Sequence, residues 1–148
     1  MRKKKQVVID SSVIVKWLSS FNEEHLEQAD QILTDAQLGK IEMISCELAK
    51  YEVANALLKG RSLDLPQAKS SLATLYNLPI SFISEDRESA QTSYEIGKQL
   101  NISYYDATFL SLAKKLGGIL ITDNLKHQGK TTDVKVIPLA KYSIKVIK

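Results

Sequence analysis

Apolar residues are arranged along the chain in two alternating patterns: short continuous runs, and longer stretches in which they recur at helical spacing. A short run that is apolar throughout is typical of a strand buried on both faces of a parallel sheet. Strands are therefore predicted at residues 7–9, 41–44, 80–83, 119–122 and 134–137.

The stretches between these runs place apolar residues every three or four positions, as in helices that bury one face. Asp64 followed by Pro66 is a typical helix start, and Asn22 followed by two glutamates is another. Gly39 and Gly60 are typical helix ends. Helices are predicted over residues 12–20, 22–39, 46–59, 64–76, 84–100 and 104–116.

Strands that alternate with helices indicate right-handed crossovers around a mostly parallel sheet. The predicted fold class is therefore α/β: a three-layer α/β/α sandwich with a central, mostly parallel sheet of about five strands. The length of 148 residues suits one domain with a substantial core. Residues 1–148 are accordingly predicted to form a single domain.

Composition narrows the class of protein further. Hydrophobic residues make up 44% and charged residues 25% of the chain, as in ordinary globular proteins. No apolar run approaches the roughly 20 residues that span a bilayer, and the short run after the basic residues 2–5 is not that of a signal peptide. A single cysteine, Cys46, fits a reducing compartment. We expect a cytoplasmic protein that makes no membrane contact.

The net charge of +3 says little by itself, but basic residues cluster at both ends of the chain. Such clusters either contact a phosphate backbone or are solvated tails.

Two acidic residues directly follow predicted strands. Asp10 comes after the run at 7–9, and Asp123 comes after the run at 119–122. Open α/β sheets bind ligands at the carboxyl ends of their strands. If these two strands are neighbours across a switch in strand order, both acids face one crevice. For Asp10, a role in capping the next helix is the alternative.

Two further acids interrupt apolar helices: Glu52 and Asp106. An ionised carboxylate in apolar surroundings is costly unless something pairs with it. For Glu52 the alternatives to a ligand site are a salt bridge to Lys16, Lys50 or another cation, and an edge position in water. For Asp106, in the first turn of its helix, the alternative is interaction with the helix dipole.

Carboxylates that share one crevice repel each other and therefore need a bound cation. Hard oxygen ligands favour Mg²⁺ or Mn²⁺ over Zn²⁺. The chain has only two histidines, His25 and His127, and one cysteine, which argues against a zinc site.

Four segments that span nearly the whole chain carry a resemblance to a known family. They are V-V-I-D-S-S-V-I-V-K-W-L (7–18), L-A-K-Y-E-V-A-N-A-L-L-K (48–59), Y-Y-D-A-T-F-L-S-L-A-K-K-L-G (104–117) and G-I-L-I-T-D-N (118–124). In order and spacing these segments resemble those of PIN-domain proteins, most closely the VapC-type toxin ribonucleases of prokaryotic toxin–antitoxin pairs.

This resemblance implies a Mg²⁺- or Mn²⁺-dependent endoribonuclease. Asp10, Glu52 and Asp106 would occupy the core acidic positions, and Ser12 the supporting hydroxyl position. The fourth position is open, because the family commonly has Thr-x-Asp there. That pattern aligns Asn124 with the fourth acid, whereas Asp123 is the acid actually present.

The resemblance also implies partners: an RNA substrate, an antitoxin whose C-terminal segment covers the acidic site, and a second copy in a homodimer. Lys16, the basic ends, Tyr104 and Tyr105 are candidates for RNA contact. For the two tyrosines, packing in the core is the favoured alternative, because buried aromatic side chains normally belong to the core. Helices 22–39 and 46–59 offer apolar surface for the antitoxin or for the core.

Two other functions compete with this interpretation. Aspartyl-phosphate phosphatases and receiver domains also place an Asp after the first strand. However, the phosphatase pattern has a second Asp two residues later, where this chain has Ser12, and analogy at the level of fold is weak support. The other alternative is a non-catalytic PIN-like module that binds RNA or regulates, for which Asn124 is the only support.

Overall fold

A computed structural model of the chain describes residues 4–128 and 133–148. Within them, five parallel strands form one sheet with the order β3-β2-β1-β4-β5. The predicted parallel sheet is confirmed, with strands β1 Lys5–Ile9, β2 Ile41–Cys46, β3 Ile80–Ile83, β4 Ile119–Thr122 and β5 Lys135–Pro138.

Helices connect the strands as the sequence predicts. Asp64 and Asp86 cap their helices by accepting hydrogen bonds from backbone N–H groups three residues later, at 2.8 Å in both cases. The helices are α1 Ser11–Ile14, α2 Leu26–Gln37, α3 Leu48–Gly60, α4 Leu65–Asn77, α5 Arg87–Leu100, α6 Tyr104–Lys115, α7 Leu125–Gln128 and α8 Ile144–Ile147.

The strand order determines where the layers lie. From β1 the chain steps to β2 and then β3 on one side, and afterwards returns past β1 to β4. Because parallel crossovers are right-handed, α1 to α4 cover one face of the sheet and α5 and α6 cover the other. The predicted α/β/α sandwich is thus confirmed, and the switch in strand order falls between β1 and β4.

The first two predicted helices differ most from the structure in their boundaries. The helix predicted to begin at Asn22 begins at Leu26, and Asn22 itself has a left-handed backbone with φ of 54°. Glu23 and Glu24 precede the helix instead of forming its first turn, because the ammonium of Lys16 binds the Glu23 carboxylate at 2.5 Å and the Glu24 carbonyl at 2.8 Å. The first helix is also shorter than predicted, since after Ile14 the chain tightens into a 3₁₀ turn at Val15–Trp17.

In the described part of the chain, no helix has both the length and the apolar composition required to cross a membrane. Residues 1–3 of the basic N-terminal cluster lie outside the described residues, as does the side chain of His127.

Candidate acidic site

Asp10 stands at the carboxyl end of the central strand β1, where its backbone N–H donates to the Ile121 carbonyl of β4 at 3.0 Å. The residue is only 5% exposed. Three donors reach its Oδ2 atom: the Ser12 backbone N–H at 3.2 Å, the Ser12 hydroxyl at 2.5 Å and the Thr122 hydroxyl at 3.1 Å. Asp10 therefore does cap α1, and the same carboxylate lies at the ligand-binding edge of the sheet.

Glu52 reaches towards this edge from α3. The Ser11 hydroxyl of α1 donates to its Oε1 atom at 3.0 Å. Burial raises the pKa of the Glu52 carboxyl above its usual range, and the charges of Asp10 and Asp106 raise it further, while the bond from Ser11 acts in the opposite direction.

The salt bridges considered for Glu52 from the sequence do not form. Lys50 pairs with Glu47 at 3.0 Å, and Lys16 pairs with other acids. Within the described residues, therefore, neither lysine neutralises Glu52.

Asp106 occupies the first turn of α6. Its backbone N–H donates to the Ser103 hydroxyl, which caps the helix, at 3.0 Å. Its charge and that of Asp10 both act on Glu52. The structure thus brings Asp10, Glu52 and Asp106 to one edge of the sheet, from three different elements.

Asp123 follows β4, the neighbour of β1, as the sequence suggested. Its carboxylate contacts the Lys16 ammonium at 3.1 Å and the His25 ring at 3.2 Å, and its backbone N–H donates to the Ser12 hydroxyl at 3.0 Å. The Asn124 backbone N–H donates to the Thr122 hydroxyl at 2.9 Å. The choice between Asp123 and Asn124 for a fourth ligand stays a prediction.

Lys16 is a buried structural cation. Its side chain is 1% exposed and binds Glu23 and Asp123. Burial by itself would lower the pKa of this ammonium, but the hydrogen bonds to the two carboxylates and their charges outweigh burial and raise it. The prediction that Lys16 contacts RNA is therefore wrong, because its charge is already satisfied inside the protein.

The two tyrosines at the start of α6 are both exposed. Tyr104 donates its hydroxyl to Glu85, and this hydrogen bond raises the pKa of Tyr104 to about 12. Packing in the core is thus not the role of these rings, and stacking on RNA bases stays a prediction.

The three carboxylates are chemically suitable ligands for a hard cation, but their side chains are not arranged around a common point in this structure. Among the described side chains, no group of three or more carboxylate, imidazole or thiol ligands is arranged to hold an ion. The donor oxygens of Asp10, Glu52 and Asp106 are nevertheless the kind that Mg²⁺ and Mn²⁺ prefer. Burial is the main cause of the raised pKa of Glu52, and a cation beside the acids would offset the repulsion that adds to it.

Sequence reasoning missed two supporting residues, Ser11 and Thr122. Both bring a hydroxyl to a site carboxylate. Ser11 directly follows Asp10 and Thr122 directly precedes Asp123, so a search for hydroxyls next to the acids would have found them.

Comparisons with known proteins agree with this architecture. A family model described as "PIN domain" matches residues 7–131. Ribonuclease VapC3 of Pyrobaculum aerophilum is 30% identical over 121 residues, which cover 79% of this chain and 88% of that protein.

Solved structures share the fold at lower identity. VapBC2 from Rickettsia felis, bound to a DNA fragment from its promoter, aligns with a TM-score of 0.68 at 13% identity, covering 90% of this chain and 98% of that one. VapC20 of Mycobacterium tuberculosis, described as a Sarcin-Ricin loop cleaving toxin, aligns with a TM-score of 0.63 at 14% identity, covering 87% and 98%. With its parallel sheet, its edge of acids and a family match over most of its length, the chain belongs to the PIN domain family.

Proposed function

We propose that this protein is a metal-dependent endoribonuclease and the toxin of a type II toxin–antitoxin pair. The observation that carries the proposal is the group of Asp10, Glu52 and Asp106 at the sheet edge, where burial and then the charges of the other two acids raise the pKa of Glu52. The 30% identical relative is named a ribonuclease, and a structural relative is described as cleaving the Sarcin-Ricin loop. Both support RNA as the substrate.

Asp10, Glu52 and Asp106 would hold Mg²⁺ or Mn²⁺, with Asp123 or Asn124 as a further ligand. When bound, the ion would supply positive charge at the scissile phosphate and lower the pKa of a coordinated water. Asp123 would first have to leave Lys16 and His25, which favours Asn124.

The chain's own hydroxyl groups would orient the acids for this task. Ser12 and Thr122 both donate to Asp10 Oδ2, and Ser11 donates to Glu52. A hydroxyl fixes a carboxylate in place without cancelling its charge, whereas a lysine at the same position would neutralise it. The site thus keeps its negative charge available for a cation.

A protein partner is supported by exposed apolar surface on α3 and α4. Tyr51, Leu58, Leu65 and Tyr76 are all large and exposed, and exposed apolar patches often mark interaction sites. We propose that an antitoxin binds there, in keeping with a structural relative from Klebsiella pneumoniae that is described as a toxin–antitoxin complex. A homodimer remains part of the same proposal.

The test is cleavage of a labelled set of structured RNAs by the wild type and by Asp10→Asn, with Mg²⁺, Mn²⁺ or EDTA. Cutting by the wild type is expected with a metal and not with EDTA, and Asp10→Asn should fall to background while its circular dichroism stays unchanged. Asp30→Asn is the matched control, because Asp30 is exposed on α2, and it should cut like the wild type.

Two outcomes would contradict the proposal. Cutting that persists in Asp10→Asn or in EDTA would assign the activity to something other than this site. Metal-independent RNA binding with no cutting in any condition would favour the non-catalytic module instead.

A further inference from the structure

A cavity of about 180 Å³ lies next to the acidic site. It opens where β2 and β3 end and is closed from the other side by α5 and α6. Apolar atoms of Cys46, Ile83 and Leu112 form part of its wall, and polar groups of Glu85, Ser93 and Tyr104 also reach it.

Ser93 is the least satisfied group in this wall. It is 1% exposed, and in the described part of the chain its hydroxyl has no hydrogen-bond partner. The neighbouring Ser111 hydroxyl, by contrast, donates to the Ser89 carbonyl at 3.3 Å. A buried hydroxyl without a partner costs free energy. An occupant of the cavity with a polar edge would remove that cost.

The cavity and the acids belong to one surface. The Cys46 thiol in the cavity wall has its pKa raised to about 12 by burial and by the charges of Asp10, Glu52 and Glu85. Tyr104, which lines the cavity, is two residues before Asp106 at the start of α6. A linear polymer that lies across the acids would therefore pass the mouth of the cavity.

The lining restricts what can enter. Two carboxylates, Glu47 and Glu85, line the cavity, and none of its described lining residues is Lys or Arg. An anionic group such as a phosphate would be repelled. The volume is close to that of the cavity of about 150 Å³ that binds benzene in another protein, so there is room for one six-membered ring.

Resting on the proposed ribonuclease function, we propose that this cavity receives a cytosine base of the RNA, next to the phosphate held at the acids. A single pyrimidine ring fits the volume, and its polar edge can bond to the Ser93 hydroxyl. Glu85 favours cytosine over uracil, because a carboxylate accepts from the cytosine amino group but repels the uracil O4. Tyr104 donates to Glu85, yet a carboxylate has two oxygens and keeps the capacity to accept another bond.

The first test uses NMR to detect binding of nucleosides to the full chain. EDTA is present, so that the result does not depend on cleavage. Cytidine should shift the signals of Ser93 and Tyr104, with an affinity about tenfold above that of uridine. Ser84→Trp should abolish the binding by filling the cavity from its exposed rim. Ser81→Trp is the matched control, since Ser81 is an exposed serine of β3 that does not line the cavity.

Glu85→Gln tests the source of the selectivity. Loss of the carboxylate charge should reduce the preference for cytidine over uridine, while cytidine still binds. A preference that stays at the wild-type value would show that Glu85 does not read the base and would overturn this part of the proposal.

Cleavage assays separate the base pocket from the nuclease. RNA that is cut without preference for cytosine at any nearby position, and equally well by Ser84→Trp, would overturn the pocket and leave the nuclease intact. Cytidine bound in the cavity of a protein that cuts no RNA would support the pocket and contradict the nuclease. Shifts caused by N-acetyl-phenylalanine amide but not by cytidine would mean that the cavity takes a protein side chain, which would also overturn the proposal.

Discussion

Glu52 is a carboxylate in apolar surroundings, and neither Lys16 nor Lys50 neutralises its charge. Its pKa in the folded protein is raised above the ordinary value of 4.5 by burial and by Asp10 and Asp106. Between the two pKa values the folded protein binds more protons than the unfolded chain, so stability falls as the pH rises through this window. If Glu52 serves to bind a metal ion, its charge thus lowers the stability of the metal-free protein at neutral pH.

Glu52→Gln should therefore raise the melting temperature at pH 7, because the amide keeps the shape and removes the charge. The gain should shrink as the pH falls and vanish below 4.5, the ordinary pKa, where the wild-type carboxyl is also neutral. Thermal unfolding between pH 4 and 8, followed by circular dichroism, measures the difference.

Glu95→Gln serves as the control, since Glu95 is exposed on α5 and its removal should leave the pH profile unchanged. A wild type that is as stable as Glu52→Gln at pH 7 would contradict this account of Glu52. The same variant should also lose RNA cleavage, so that stability rises while activity falls.

At this scale the sequence predicted the acids but not their partners. Asp10, Glu52 and Asp106 were visible because each interrupts or ends an apolar pattern. The pairing of Asp123 with Lys16 was not visible, because it joins positions 107 residues apart in the chain and depends on how the loop after α1 turns. The local sequence pattern shows which position at the end of a strand carries an acid. It does not show towards which partner that side chain points.

Among the elements, the segment between the first 3₁₀ turn and α2 depends on one buried cation. Lys16 binds Glu23, Asp123 and the Glu24 carbonyl, and Arg61 also contacts Glu23. Local rules favoured helix here, since acids in a first turn interact well with the helix dipole. The tertiary ion pair outweighs that preference, which is why α2 begins later than predicted.

Lys16→Met should destabilise the protein by about 2 kcal/mol, because it removes the buried ammonium that joins Glu23 to Asp123. Urea unfolding of the wild type and the variant measures this change. Lys69→Met, at an exposed position of α4, is the matched control and should stay within about 0.5 kcal/mol of the wild type. An equal effect of the two substitutions would mean that the buried ion pair does not stabilise this segment.

Across the whole molecule, the order of elements was predictable and the closure of the C-terminal end was not. The alternation of strands and helices predicted the parallel sandwich. Each strand and each helix is visible in its local apolar pattern, and strands joined by helices form right-handed crossovers. The turn at Leu139–Lys141 and helix α8 return to α2, where Tyr142 donates to Asp35 at 2.8 Å. The apolar pattern of α2 contains no sign that Asp35 would be fully buried.

Asp35 is 0% exposed and accepts hydrogen bonds from Tyr142 and from Gln31 Nε2 at 3.0 Å, with the Lys40 ammonium 3.7 Å away. Removing the Tyr142 hydroxyl leaves this buried carboxylate short of one donor, at a cost of about 2 kcal/mol. We therefore expect Tyr142→Phe to lower the free energy of unfolding by that amount, measured in urea.

Tyr94→Phe provides the comparison, because Tyr94 is exposed on α5 and its hydroxyl should contribute little. If the bond from Tyr142 fastens the C-terminal segment to α2, Tyr142→Phe should also speed amide exchange at Ile144–Ile147, while exchange in β1 changes only in proportion to the global loss of stability. Unchanged stability with unchanged exchange would show that packing of the ring alone holds the segment, and that the hydroxyl of Tyr142 has no part in closing the fold.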